Sequence, residues 1–546
     1  VPKLKTPINN GVIATVLASL AAIILAVTTP AIGVTWDEPV YIASSEVYMG
    51  WFRALFTDPQ NAFTPASIDK YWSVNHEHPP LDRTWSGIVW SASRYIVNDL
   101  TAHRLGNILL VAAMVGLLYL LVANGFGKGA GLFAAAALML MPRFFFHAHL
   151  AALDVPVTVG IFIVTYLFWR TINKREWWWG LVLGIAWGLA ESIKLNATFL
   201  PIVLIAWTLI FRRKWTMLLR LILMGIGALT TFVVAWPWLY HDTWNRLLGY
   251  INFHLRHYDI GIWYLGHYYV KPPMPYPFVI LWSVVPLAVM LLVFTGVARV
   301  MIHKQHRDLG WLLVISALVP LLVISVGRTL AYDGERLFMP TFPFIAGLAG
   351  AGFGWALGGL QRITERISRP ALFLPASIGL ASVLLLPQTI TAAGLYPHLL
   401  SYYSEGIGGL QGATKLKLET TYWCEAYAAA FPYINSQAKP GDRIWVEPWS
   451  YDVMYYYQLH GWLRTDVKII NSAQGGRSVF GPNYPRPIYG DYSTADWIII
   501  EYRQTQFSQM GGSVPYLLGY VMKLAPPVVE VSYQGVPIMQ LYKQEK

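Results

Sequence analysis

Apolar runs near the length of a bilayer crossing are the strongest constraint on this chain. An α-helix needs about 20 apolar residues to cross the hydrocarbon core, with roughly 17–25 as the working range. Gly11–Ala31, Leu105–Val122, Gly129–Phe146, Trp215–Tyr240, Tyr276–Val300, Leu337–Leu360 and Ala371–Ala393 meet that requirement. Val155–Trp169, Trp177–Leu189, Ala197–Phe211 and Gly310–Val326 are shorter runs of the same kind. The expectation is a polytopic α-helical membrane protein of eleven transmembrane helices. Composition agrees: 55% of the 546 residues are hydrophobic and 13% charged, against about 25% charged in an ordinary soluble domain. Disorder, coiled coil and collagen are excluded by the same figures. Cys424 is the only cysteine, so neither an intrachain disulfide nor a cysteine-based metal site can form.

The net charge of +11 would suit nucleic acid if the basic residues shared one face. Instead they fall in short clusters between apolar runs, which is how membrane topology is written. With the N-terminus cytoplasmic, Lys128, Arg170/Lys174/Arg175, Arg212/Arg213/Lys214, Arg299/Lys304/Arg307 and Arg362/Arg366/Arg369 all lie inside. The reverse orientation would export every cluster. Lys3 and Lys5 precede the first run, and Ala31-Ile-Gly33 is like a signal-peptidase site. That run exceeds the 7–15 apolar residues of a signal peptide, so a retained anchor is expected. The location that follows is the cytoplasmic membrane, multi-pass, with three segments outside it.

Two of the outer segments, Trp36–Arg104 and His241–Pro275, are rich in Trp, Tyr, His and Pro and read as amphipathic helices on the membrane surface. Everything after about Ala393 is also outside, and from Ser401 the composition is that of a soluble domain. Arg443–Glu447, Val467–Ile470, Asp496–Tyr502 and Val528–Tyr533 read as strands of a C-terminal α/β domain. Residues 1–400 then form a membrane domain and 401–546 an extracytoplasmic soluble one. No internal repeat is evident.

Charges beside membrane helices are costly, and each is a functional suspect. Asp37 and Glu38 follow the first run in Thr35-Trp-Asp-Glu-Pro-Val-Tyr41. His76-Glu-His-Pro-Pro-Leu-Asp-Arg83 lies later in the same loop, and Asp154 opens the helix at Ala152-Leu-Asp-Val-Pro156. Glu191 and Lys194 share one outer turn; Arg328, Asp333, Glu335 and Arg336 fill another. Acids and bases from five segments thus face one interface, as a site for a charged lipid headgroup requires.

In this order the motifs resemble the GT-C membrane glycosyltransferases, with the protein O-mannosyltransferases and aminoarabinose (lipid A) transferases as nearest branches. The Asp-Glu pair, the His-Pro-Pro-Leu-x-basic element and the Asp-x-Pro helix start carry the likeness. Arg336-Leu-Phe-Met-Pro-Thr-Phe-Pro343 is similar to the Arg-x-x-x-Pro-x-x-Pro helix start of that group. Ser401-Tyr-Tyr-Ser-Glu-Gly-Ile-Gly-Gly409 and Thr421-Tyr-Trp-Cys-Glu425 look like segments following the last helix in its members. Asp82-Arg83 stands where the family usually has Gly-Lys, which keeps a cation, changes its shape and adds a carboxylate.

The resemblance implies a GT-C fold and a sugar donor linked through phosphate to a polyprenyl or dolichyl lipid. The phosphate is a stable leaving group, so a general acid is dispensable; the acceptor hydroxyl needs a base. Asp37 is the expected base, with Glu38 and Asp154 orienting the acceptor or a cation. Arg83, Lys194 and Arg336 are the expected donor-phosphate ligands. His76, Glu77 and His78 are candidate acceptor or metal contacts, although Pro79-Pro80 makes them an extended turn better suited to a loop hydrogen-bonding cluster. No cofactor is fixed by these residues; a divalent cation bridging carboxylates and phosphate is left open. The implied partners are the polyprenyl-phosphate sugar, an acceptor protein, lipid or envelope glycan, and membrane lipids, with no nucleic acid.

Plainer readings stand beside these. Asp154 would serve as a helix-start residue favoured by the dipole, Arg336 as an interfacial anchor, and Asp37-Glu38 as an idle flank. Two other functions also stand: a non-catalytic membrane subunit of the same fold, and a transporter. Against a transporter, the charges gather at one face rather than at mid-bilayer.

Overall fold

The computed structural model describes residues 9–256, 258–327, 331–471, 487–509 and 513–544. Lys3, Lys5 and Arg328, named above, lie outside the described residues. Every one of the apolar runs is helical over most of its length. Among the described residues, six helices are long and apolar enough to cross a membrane, or seven if one bent pair counts as a single span. Three of the shorter runs form helices of 12 to 18 residues, and Gly310–Val326 lies in the 21-residue Arg307–Gly327 helix, one of the six. By length and composition alone, six or seven of the expected eleven crossings are met among the described residues.

Packing follows the logic of a lipid solvent. The Asn10–Thr28 helix exposes Val12, Val16, Leu20, Ile23 and Val27, and the Phe373–Leu395 helix buries little of itself. Glu38, Arg104, Arg143 and Glu335, by contrast, are almost wholly enclosed. Apolar outside and charge inside is the inverse of a soluble bundle. Small residues bring the helices together. Gly180, Gly184 and Gly188 repeat every fourth residue on the Trp179–Glu191 helix; a Cβ there would lie 2.8, 2.5 and 2.5 Å from the carbonyl oxygens of Arg220, Met224 and Ala228 on the Trp215–Val234 helix. Gly296 and Gly352 make the same close approach between the Leu287–Ile302 and Phe342–Arg366 helices. Without a hydrophobic drive between helices in lipid, backbone proximity of this kind supplies the packing.

Two runs that read as continuous are broken. Gly129–Phe146 divides into Lys128–Met139 and Pro142–His147, and Met141 between them is extended. Tyr276–Val300 divides into Tyr276–Val284 and Leu287–Ile302, bent by 118°, with Val285 extended before Pro286. Each proline disfavours the α conformation in the residue before it and removes a backbone donor.

The first outer segment is helical as expected, in Glu38–Thr57, Pro65–Trp72 and Leu81–Ser93. The second carries the Thr243–Leu255 helix, followed by a hairpin, β1 (Ile262–Tyr264) and β2 (His267–Tyr269), that the sequence reading did not anticipate. In the tail, β3 (Arg443–Glu447), β4 (Lys468–Asn471), β6 (Trp497–Glu501) and β7 (Val529–Tyr533) match the expected strands. The short β5 (Ile488–Tyr489) and the long β8 (Val536–Lys543) are additional. The sheet order is β5-β4-β3-β6-β8-β7, parallel up to β6 and antiparallel beyond it. Gln534 and Gly535 both have positive φ, the geometry of a tight two-residue hairpin turn between β7 and β8.

One face of the sheet closes on the helices. Glu501 on β6 accepts from the backbone N–H groups of Cys424 and Ala426 at 2.8 and 3.0 Å, and Trp36 N–H donates to the Trp423 carbonyl at 2.9 Å. Gly33 lies so close that a Cβ would sit 2.0 Å from the Glu425 carbonyl oxygen. The residues just after the first helix and those just before the sheet are thereby locked together.

Candidate active site

Four segments far apart in sequence meet at Arg336. Its Nη2 donates to Asp37 Oδ2 at 2.5 Å, Nε to Asp154 Oδ2 at 3.0 Å and Nη1 to Asp333 Oδ2 at 2.7 Å. Lys194 Nζ donates to the other Asp154 oxygen at 2.6 Å. The Arg336 guanidinium also stacks 3.7 Å from the centroid of Trp423, a favourable face for a partly dehydrated cation. Arg503 follows β6, pairs with the second Asp333 oxygen at 2.5 Å and lies 5.7 Å from the Trp36 ring.

Local sequence explains each placement. Asp37 is the residue before the Glu38–Thr57 helix, held there by Pro39 inside the first turn. Asp154 opens its helix at the positive end of the dipole. Arg336 begins the short turn that runs into Phe342–Arg366. Beneath that turn, Glu335 accepts from Arg143 Nη1 at 2.8 Å and from Tyr422 O–H at 3.0 Å. Burial pushes the Glu335 carboxyl up, but Arg143 and His147 outweigh it and hold it at about 2.

The three carboxylates on Arg336 are not equivalent. Asp37 keeps 24% of its side chain exposed, against 2% for Asp154 and 8% for Asp333. Asp37 alone is open enough to meet an incoming group. Burial raises its pKa above the ordinary aspartate value; Arg336 opposes that, and Asp333 and Asp154 add to it.

Two adjoining cavities open beside this network. One, of about 480 Å³, is walled by Asp37, Tyr41, Glu77, Asp333, Trp423 and Arg503 among others. The second, of about 440 Å³, is more apolar, with Leu195, Phe199, Leu255, Ile324 and Leu337 in its wall. His78, Lys194, Asp259 and Tyr332 line both, so a cation and an imidazole stand at the boundary. Burial first, then Lys194, Arg83 and His254, hold His78 well below the ordinary imidazole range, and it is neutral at pH 7.

Not every expected site residue faces this space. Glu38 is fully buried and engaged by Arg104 at 2.7 Å through both oxygens, and by the N–H groups of Thr35 and Ala151. It lines neither cavity. Arg83 is likewise turned inward. Its guanidinium donates to the Asn75 and Pro79 carbonyls at 2.9 and 2.8 Å, and also to the His78 carbonyl and the Asn75 side chain. It clamps the loop that presents Glu77 and His78. Its neighbour Asp82 is raised to about 7, chiefly by burial.

His76 stacks on Trp238 with centroids 4.6 Å apart and lines neither cavity. Among the described residues, His76, Glu77 and His78 do not bring three ligand atoms together. Glu191 accepts from Trp187 at 3.0 Å and does not join Lys194. The sequence reading missed Arg503 and Tyr332 altogether. It noted Trp423 only as part of a tail segment; that segment's resemblance was the one signal that could have placed it.

Residues 85–241 match the family described as dolichyl-phosphate-mannose-protein mannosyltransferase. No curated protein matches the chain. Among solved structures, ArnT from Cupriavidus metallidurans bound to undecaprenyl phosphate aligns with a TM-score of 0.52 at 15% identity, over 96% of this chain and 97% of that one. The same protein in the apo state gives 0.51 at 14% identity, with the same coverage. The archaeal oligosaccharyltransferase AglB from Archaeoglobus fulgidus, in complex with an inhibitory peptide and a dolichol-phosphate, gives 0.49 at 11% identity, over 90% of this chain and 69% of that one. The resemblance to GT-C glycosyltransferases read from the motifs therefore holds: the chain is a multi-pass membrane protein with that fold.

Proposed function

We propose that this protein is an inverting glycosyltransferase that moves a hexosyl or pentosyl group from a polyprenyl- or dolichyl-phosphate donor to an acceptor hydroxyl on the outer face of the membrane. The observation that carries this reading is the convergence of Asp37, Lys194 and Arg336 on the wall of a cavity adjoining an apolar one, with Asp154 buried behind them and paired with both cations. The bound undecaprenyl phosphate in the ArnT structure supports a lipid-phosphate donor, and the matched mannosyltransferase family supports transfer of its sugar.

In this reading the lipid lies along the apolar cavity and its phosphate meets Lys194 at the boundary, within reach of Arg336. The acceptor hydroxyl enters the polar cavity, and its oxygen attacks the anomeric carbon as the carbon–oxygen bond to phosphate breaks. Asp37 takes the hydroxyl proton, and the bonding electrons leave on the phosphate oxygen, where the two cations stabilise the growing charge. Attack from the side opposite the phosphate inverts the anomeric centre. Asp154 holds Lys194 and Arg336 in place; Glu38 and Arg83 act one layer further out, on Asp37 and on the Glu77–His78 loop. Residues 1–400 would be the membrane domain and 401–546 an extracytoplasmic one, its Arg503 and the nearby Trp423 roofing the site, with the basic loops cytoplasmic. The acceptor is a protein, lipid or envelope-glycan hydroxyl.

Mass spectrometry of co-purifying lipids, followed by transfer assays in proteoliposomes with polyprenyl-phosphate sugars, tests this directly. Asp37→Asn should lower turnover by about 10²–10⁴-fold while the protein folds and retains the lipid. Undiminished transfer by Asp37→Asn removes Asp37 as base.

A further inference from the structure

Away from both cavities, the ligand atoms of Glu46, Asp99 and His103 lie within 4.8 Å of one another, and His460, from a third segment, stands beside Asp99. Glu46 lies on the Glu38–Thr57 helix, Asp99 and His103 in the first two turns of Asp99–Phe126, and His460 caps the Tyr451–Leu459 helix of the tail. His103 Nε2 lies 3.5 Å from Glu46 Oε1 and 3.9 Å from Asp99 Oδ2; His460 Nε2 lies 3.6 Å from the same Asp99 oxygen. None of the four lines the cavities described above.

The hydrogen bonding of His103 shows what this point lacks. Ser45 Oγ donates to the Ile42 carbonyl at 2.7 Å and lies 3.2 Å from His103 Nδ1. With its hydrogen already committed, that oxygen accepts, so Nδ1 carries the ring proton. Nε2 is then left with a lone pair. It is fully buried, has no hydrogen-bond partner, and points at two carboxylate oxygens. A lone pair facing two carboxylates is repulsive unless a positive centre lies between them. The ring is fixed besides by Trp90, stacked with centroids 5.0 Å apart. Asp99 is oriented by Trp90 Nε1–H at 2.8 Å on one oxygen and Tyr456 O–H at 2.9 Å on the other.

We propose that Glu46, Asp99 and His103 bind a divalent transition-metal ion, zinc by ligand type, and that the His460 ring swings in from beside Asp99 as the fourth ligand, stapling the tail to the first outer helix. Two imidazoles and two carboxylates suit zinc. Tetrahedral ligands at about 2.0–2.1 Å from a metal stand about 3.4 Å apart, so the two His103 contacts need only a few tenths of an ångström of closure, while His460, outside the 4.8 Å group, has further to move. The donors from Ser45, Trp90 and Tyr456 are the outer-shell bonds that such sites use to aim their ligands. Glu46 keeps 45% of its side chain exposed, which leaves a way in for the ion.

The test uses the full chain, stripped with a chelator, reconstituted in nanodiscs and titrated with zinc alone. The wild type should retain one zinc per chain after desalting, and its unfolding temperature should rise with zinc. His460→Ala, at a partly exposed position, should weaken binding by about 100-fold or more and abolish the zinc-dependent rise, since even outer-shell losses cost about 10–100-fold. Ser45→Ala should weaken binding by about 10-fold. Failure of the wild type to retain zinc overturns the proposal. Unchanged zinc retention by His460→Ala also overturns it.

Discussion

Among the charged residues, environment rather than identity separates reactive from structural. Asp37 and Glu38 are neighbours, yet one opens on a cavity while the other is sealed against Arg104. Because burial raises the Asp37 pKa, its basic form should be lost at higher pH than for an ordinary aspartate. Turnover should therefore climb with pH through an acidic limb placed above the usual value of about 3.9, and a turnover–pH profile measures it. The Glu38–Arg104 pair makes the opposite prediction. Arg104→Ala should cost about 3–5 kcal/mol by leaving Glu38 buried and uncompensated. The double variant with Glu38→Ala should cost less than the sum of the two singles, as read by thermal unfolding in detergent. Asp37, Asp154, Lys194 and Arg336 were legible in the sequence because a charge beside an apolar run is conspicuous. Which charge would be consumed by an internal partner, as Arg83 is by its own loop, was not, since partners are set by side-chain direction in space.

Among the elements, the apolar runs were readable because their length reports the solvent they cross. Their breaks were written too, in Pro142 and Pro286, but a proline within an apolar run reads equally as a kink or an end: Pro320 stays inside its helix and Pro286 does not. The glycine stripe at 180, 184 and 188 is an element-scale feature with a sharp consequence. Gly184→Leu should force the two helices apart and cost about 1–3 kcal/mol or more. Gly225→Ala, on the facing helix but with open space around its Cβ position, should leave stability unchanged or slightly raised. Thermal unfolding of both variants in the same detergent makes the comparison. The hairpin at 262–269 escaped the sequence reading because strands of three residues carry too little alternation to stand out from a Tyr-rich surface segment.

For the whole molecule, the tail is built into the site: Arg503 pairs with Asp333 and Trp423 covers Arg336. The tail also carries a pH dependence of its own. Burial raises Glu447 to about 8, and its Oε1 has no hydrogen-bond partner among the described residues. A carboxyl whose folded pKa is raised contributes stability that is complete below its unfolded value and is lost as pH rises through the folded one. The unfolding temperature should therefore fall mainly between about pH 5 and 8 and level off above that, and Glu447→Gln should fall less over that interval. Equal falls in both proteins count against the assignment.

The sequence by itself determined the solvent, since runs of apolar residues can satisfy their backbone in lipid only as helices. It also set the four conspicuous charges and four strands of the tail, because length, charge and alternation are local properties. The tertiary structure alone decided which carboxylate stays open, which arginine is spent on a loop and which tail residues roof the cavity. Those outcomes depend on distances between residues hundreds of positions apart, and no local pattern encodes them.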